Sequence, residues 1–258
     1  MNSVLVCSTR DILTAATRCP RTLLATGAGL LVIALPLALC AQEAEDDSRA
    51  PSHPLVSRFL TRADEPVHAY RARRRLEAHN PRFRKEAWLE AWTWLDPENG
   101  FRFAIIAEGG SKYIRNRVLR RALETEQRTI AAGDAARASL SETNYTFEGA
   151  ETIENGLLML RIKPKRKDML LVDGSLLVTD DADLLEIAGR LAKGPSFWTP
   201  RVEIRRRYER RSAVRVPVFV ESTAHVRIAG RSEFRMTYEY ESVNGRPVSA
   251  WFGVAGSR

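Results

Sequence analysis

The sequence predicts an α+β fold, mostly β: a curled antiparallel sheet, or half-barrel, with a helix covering its concave apolar face. Three observations carry this. Apolar and polar residues alternate with period two over most of the chain from Val67 to Val243, the mark of half-buried strands. One long segment, SKYIRNRVLRRALETEQRTIAAG, breaks that rhythm with a 3.6-residue apolar stripe. Ten or so long antiparallel strands are too many for a flat sheet, so the sheet must curl, and the helix is the element available to cover its apolar side.

The strands follow in order. VHAYRARRRLEA puts Tyr70, Ala72 and Leu76 on one face and Arg71, Arg73, Arg75 and Glu77 on the other. EAWLEAWTWLD aligns Trp88, Trp92 and Trp94, and FRFAIIA aligns Phe101, Phe103 and Ile105. The turn-forming run Asp96-Pro97-Glu98-Asn99-Gly100 joins them as a hairpin. Gly109-Gly110 then punctuates the start of the helix, with Ser111 as its candidate cap and Ile114, Val118, Ala122 and Thr125 as its buried stripe. Gly133-Asp134 divides it from a short second helical piece.

Strands resume at YTFEG and GLLMLRIKPK, and continue in MLLVDGSLLVTDDADLLEIAGRLAK as two strands around an acidic turn at Asp180, Asp181 and Asp183. Three long strands close the fold, over 201–211, 213–229 and 231–243. Even positions 214, 216, 218, 220, 226 and 228 are Val, Val, Val, Val, Val and Ile, and 234, 236, 238 and 240 are Phe, Met, Tyr and Tyr. Odd positions from 231 to 241 are charged with both signs, apart from Thr237. Such a sheet has one wet face, on which opposite charges pair across strands.

The N-terminus has a different character. Between Arg21 and Glu43 lies TLLATGAGLLVIALPLALCAQ, which carries no charge. It reads as an export segment, cleaved near Cys40, Ala41 or Gln42. It is also long enough to stay as a membrane anchor, and LALC resembles a lipoprotein box with Cys40 as the lipidated residue. Residues 1–41 are therefore a signal peptide or anchor, 42–64 a flexible linker, and 65–258 one curled-sheet domain. All three cysteines, Cys7, Cys19 and Cys40, fall in that first segment, so the exported chain must hold together without a disulfide framework.

Charge and motifs exclude more than they assign. Beyond residue 41 there are 37 basic and 31 acidic residues, and arginine outnumbers lysine 34 to 6 in the whole chain. RVEIRRRYERR, at 201–211, concentrates six arginines. A nucleic-acid stripe would be mostly of one sign. Here glutamates interleave, and parity spreads the run over two faces, so it reads as a solvated strand face. Arg206 and Arg210 nevertheless fall on the apolar side, where they are candidates to hold an anionic head group at the mouth of a cleft. The four histidines, His53, His68, His79 and His225, lack metal-ligand spacing, and no nucleophile elbow, phosphate loop or dinucleotide fingerprint occurs. The expectation is a non-enzymatic protein with no cofactor and no metal, in which Glu90, in line with the tryptophans, is the carboxylate to check.

One helix covers only part of a broad curled sheet, and leftover apolar area forms a cleft suited to apolar ligands. Its candidate lining is Trp88, Trp92, Trp94, Phe101, Phe103, Phe234, Met236, Tyr238 and Tyr240.

An export segment, a cysteine-free mature chain, a curled sheet and a helical plug together resemble the periplasmic lipoprotein-localisation carriers (LolA/LolB type) and their lipoprotein-sorting relatives. The architecture resembles theirs over about 65–245. The wording is similar from about 170 to 243, where GSLLVTDDADLLEIAGRLAKG is followed by long strands ending in the Tyr-rich EFRMTYEYE. The resemblance implies a concave face that holds acyl chains, a monomer in the periplasm, and a lipid or lipoprotein acyl chain as partner. The alternative is an envelope interaction module with a filled core, which binds a partner protein or anionic lipid heads through its charged face.

Overall fold

The computed structural model describes residues 53–153 and 156–248. The expected export segment 1–41, with Cys40, lies outside these residues. Ten strands pair antiparallel in one open sheet: β1 (Tyr70–Asn80), β2 (Lys85–Asp96), β3 (Gly100–Gly110), β4 (Tyr145–Thr152), β5 (Leu158–Pro164), β6 (Val172–Val178), β7 (Leu184–Leu191), β8 (Arg201–Arg211), β9 (Val214–Val226) and β10 (Gly230–Val243). Their spatial order is β3-β2-β1-β10-β9-β8-β7-β6-β5-β4, with the short β11 (Arg246–Pro247) beside β10. The sheet is curled and not closed into a barrel, as its patterning predicts.

This order explains where the helix goes. The two edge strands, β3 and β4, are consecutive in sequence, so the segment between them must pass from one edge of the sheet to the other. It does so as a helix over 112–131, which packs its apolar stripe against the sheet. Ile114, Leu119, Ala122 and Leu123 are buried there. The helix begins as α-helix at Lys112–Ile114, widens to a π turn at Arg115–Leu119, and returns to α-helix over Arg120–Ala131. Gly133, at φ 69°, takes the left-handed conformation that commonly ends helices. Ser111 stands at the N-cap, but its side chain makes no capping bond. The helix start is held instead from the sheet: Ser111 N–H donates to Glu86 O at 2.8 Å.

Curvature has local causes. Bulges interrupt the pairing of β1 with β10, β2 with β3, β4 with β5, β6 with β7 and β8 with β9, and each bulge sharpens strand twist. Gly174 and Gly189 face each other across β6 and β7, and a Cβ on Gly174 would stand 2.6 Å from the Gly189 Cα. Only glycine permits that approach.

The core falls into two clusters. The long helix and strands β1–β3 and β8–β10 enclose the larger one, around Leu76, Leu89, Leu119, Leu123 and Met236. The second lies under β4–β8 and is covered by a further helix, Pro54–Thr61. This corrects the expectation that 42–64 is wholly linker. Leu55, Val56 and Phe59 are at most 3% exposed, packed with Tyr145, Leu160 and Leu176. Pro54 at the first helical position and the His53 side chain, accepting from Leu55 N–H at 3.2 Å, start this helix. The concave side is therefore covered by two helices, and each apolar side chain so buried contributes about 1.5–3 kcal/mol.

Candidate functional site: an apolar groove at the strand ends

Parity decides where each expected cleft residue points. In β2, Ala87, Leu89, Ala91 and Thr93 are the buried set, opposite Ala78, Leu76, Arg74 and Ala72 of β1. Trp88, Trp92 and Trp94 point the other way, onto the charged outer face, so they do not line a concave cleft. The register pairs them with Glu77, Arg73 and Arg71. The small core-facing residues let the helix approach closely, whereas the indoles lie on the outer face, those of Trp88 and Trp92 beneath arginines. Arg75 stacks 4.9 Å from the Trp88 ring and Arg71 4.7 Å from that of Trp92. Trp88 also packs over the edge strand, where a Cβ on Gly109 would meet its indole nitrogen at 2.6 Å. Glu90 shares this face and is bound by Arg75 at 2.8 Å and Arg73 at 3.8 Å.

Phe101, Phe103, Phe234, Met236, Tyr238 and Tyr240 do face the concave side, but most of them fill it. Tyr238 and Tyr240 stack with ring centres 5.9 Å apart, and Tyr240 donates to Pro217 O at 2.8 Å. Among them sits a residue that the alternation of β1 marks as inward and the sequence reading passed over, Arg74. It is fully buried, and Glu126 of the long helix receives it bidentately, at 2.6 and 3.0 Å. The Tyr70 hydroxyl accepts a further bond from it. Its guanidinium lies 4.6 Å from the Tyr238 ring and 5.1 Å from that of Phe101. Burial pulls the Arg74 pKa down, but the charge of Glu126 outweighs that and holds it well above the ordinary arginine value.

The expected head-group arginines are both committed elsewhere. Arg206 is buried between Ile187 and Val220 of the neighbouring strands. Arg210 belongs to an ion cluster that ties the exit of the first helix to the sheet. It donates to Asp183 at 2.6 Å and to Asp64 at 2.7 Å, and Arg215 reaches the other Asp64 oxygen at 2.6 Å. Burial raises the Asp64 pKa, yet the hydrogen bond from Arg210 and the charge of Arg215 outweigh it and leave the carboxyl below its usual range.

An open, largely apolar groove of about 430 Å³ lies instead where the start of the long helix meets the ends of β1, β9 and β10. Its floor is built from Ala78, Ile114, Val118, Ala224, Val226 and Phe234. Phe234 is the one member of the expected cleft that reaches it. At the mouth stand Phe83 and Tyr113, 52% and 57% exposed, with Lys85 and Arg117. Asn80, also in the lining, ties β1 to the β9–β10 turn. It donates to Ala229 O at 3.1 Å and Ser232 Oγ at 2.7 Å, and it accepts from Phe83 N–H. Arg210 sits about eight residues along β8 from the strand ends that form the groove, roughly 26 Å at 3.3 Å per residue.

The groove is not legible in the sequence because it is made of strand ends that only the pairing brings together. Among the described residues no group of three potential metal ligands comes together. No protein-family model matches the chain, and no curated protein matches it either.

Proposed function

We propose that this chain is an exported, non-enzymatic binding protein that shelters an acyl chain, such as that of a lipid or lipoprotein, in the groove between the long helix and the sheet. The carrying observation is the groove itself. Its volume falls within the ~300–1,000 Å³ usual for ligand sites, and its floor is aliphatic and aromatic. Each methylene moved from water onto such a floor gains about 0.8 kcal/mol, so a long chain needs no special polar chemistry to bind. The periplasmic setting rests on the N-terminal sequence, and the likeness to lipoprotein-localisation carriers on the sheet, its crossing helix and the similar wording of the later strands.

The rival reading, an envelope module acting through its charged face, draws its support from the outer surface. There Arg, Glu and Trp form shallow polar depressions along β1, β2 and β7–β10.

Uptake of a fluorescent fatty-acid probe, together with native mass spectrometry of protein purified from membranes under mild conditions, tests the first reading. Val118→Trp fills the groove and should abolish uptake while the protein stays folded. Wild-type protein that takes up no probe and carries no lipid would leave the interaction module as the better account.

A further inference from the structure

We propose that the groove selects an anionic amphiphile, with the apolar tail on the Val118–Ala224–Phe234 floor and a carboxylate or phosphate head between Lys85 and Arg117. The inference rests on the ligand-sheltering role above and names the class of ligand.

Charge placement carries it. Over most of the surface, arginines are matched by acids. Arg115 and Arg120, five apart across the π turn, converge on Glu108 at 2.6 and 2.7 Å, and Arg75 is divided between Glu77 and Glu90. At the groove mouth the matching stops. Lys85 and Arg117 are exposed and make no ion pair among the described residues. Neighbouring Arg82, Arg84 and Lys112 make none either. The one carboxylate in the lining, Glu233, is engaged by Arg231 at 2.8 Å. The mouth therefore carries a net positive charge, above an apolar floor. Cations beside a low-dielectric wall focus their field into the opening. Arginine supplies a planar fork and lysine a point charge, a pair suited to carboxylate or phosphate oxygens. Tyr113 and Phe83, exposed at the rim, fit the junction of tail and head, where an amphiphile passes from apolar to wet.

Displacement of a fluorescent fatty-acid probe from the full chain tests this. The competitors are palmitate, a palmitoyl lysophosphatidate, hexadecanol and inorganic phosphate. Palmitate and lysophosphatidate should each compete at least tenfold better than hexadecanol. Lys85→Gln/Arg117→Gln should shrink that preference below threefold while hexadecanol competes as before. Preference for one anionic amphiphile over the other assigns the head as carboxylate or phosphate. Inorganic phosphate should not displace the probe; if it does, the mouth is a plain anion site and the proposal fails. Equal competition by hexadecanol overturns the head-group assignment and leaves the sheltering role intact. A probe that wild type never takes up, or that Val118→Trp still binds, overturns both.

Discussion

Replacing Glu126 with Gln tests the buried pair that fastens the long helix to the sheet. Arg74 has no exposed side-chain surface and Glu126 only 2%. The substitution keeps shape and volume but leaves a guanidinium in the core without its counter-charge. Removing one partner of a buried ion pair costs about 3–5 kcal/mol. Two features place the cost toward the lower end. The Gln carbonyl still accepts one bond, and the rings of Tyr70, Phe101 and Tyr238 lie 4.6–5.6 Å from the cation, each desolvated contact being worth up to ~2 kcal/mol. About 3 kcal/mol in a domain of this size corresponds to a Tm lowered by roughly 6–12 °C. Thermal and urea unfolding, followed by circular dichroism, read it directly. The double variant Arg74→Met/Glu126→Leu removes both charges and should recover most of the loss, because well-packed apolar replacements of buried pairs are near neutral or stabilising by about 1–4 kcal/mol. A Gln variant within 1 kcal/mol of wild type, or a double variant worse than the single, would refute the view that this pair is desolvated and mutually dependent.

Other substitutions separate the two faces and the second core. Leu89→Ala should cost about 2–5 kcal/mol, while Trp88→Ala on the outer face should cost less, its stacking with Arg75 accounting for about 0.5–1 kcal/mol; equal losses by urea unfolding would contradict the face assignment. Phe59→Ala should destabilise by about 3–5 kcal/mol, and a loss near zero would return 54–61 to the status of linker. Ala213→Gly should stabilise by about 0.5–1 kcal/mol, since Ala213 at φ 69° occupies the left-handed region in the β8–β9 turn. Asp64 has a folded pKa below its unfolded one, so it stabilises above the unfolded value near pH 4, and that stability fades as pH falls through the folded value. Asp64→Asn should therefore flatten the acid limb of a stability-versus-pH curve; an unchanged limb would show that the ion cluster contributes nothing there. Tyr145 runs the opposite way. Burial pushes its phenol up to about 12, so its contribution is intact below the unfolded value near 10 and is lost as pH rises toward 12, which difference absorbance at the phenolate band would follow.

The period-two patterning of the late strands carried the fold. β8 spans 201–211 as expected, and the even positions of β10 point inward. Parity fixed relative faces but not which face is the core, and that is where the tryptophans went astray. Large apolar side chains suggest an interior, yet the helix needs small residues beneath it, so β2 turns Ala87 and Ala91 inward and its indoles outward under arginine. Arg74 shows the converse. Its inward position was legible from its neighbours Ala72 and Leu76, but its acceptability depends on Glu126, 52 residues away on another element. The helix at Pro54–Thr61 was hidden by its acidic surroundings, although Leu55, Val56 and Phe59 form a short apolar stripe behind a proline start. Arg206 and Arg210 stand on the apolar side as parity requires. Their carboxylate and core neighbours come from distant strands and from the segment just after the first helix, which no local pattern reveals.

The place of the groove follows from connectivity. Because β3 and β4 are the two edges, the long helix must enter beside β3 and leave toward β4, and it crosses the sheet once. Its first turns lie near the end where β1 stops at Asn80 and β9 turns into β10 at Gly230. A helix fixed in its second half by Arg74–Glu126 and near its start by Glu108 cannot slide to cover those strand ends. The π turn at Arg115–Leu119 matters here. It brings Arg115 and Arg120, five residues apart, onto one glutamate, and it carries Val118 of the groove floor. Loosening the clamp with Glu108→Gln should therefore alter probe affinity more than global stability. The two ion pairs that hold the start of the helix are only partly buried, so their loss costs little in folding, while Ile114 and Val118, which line the groove, stand within two residues of Arg115 and Arg120.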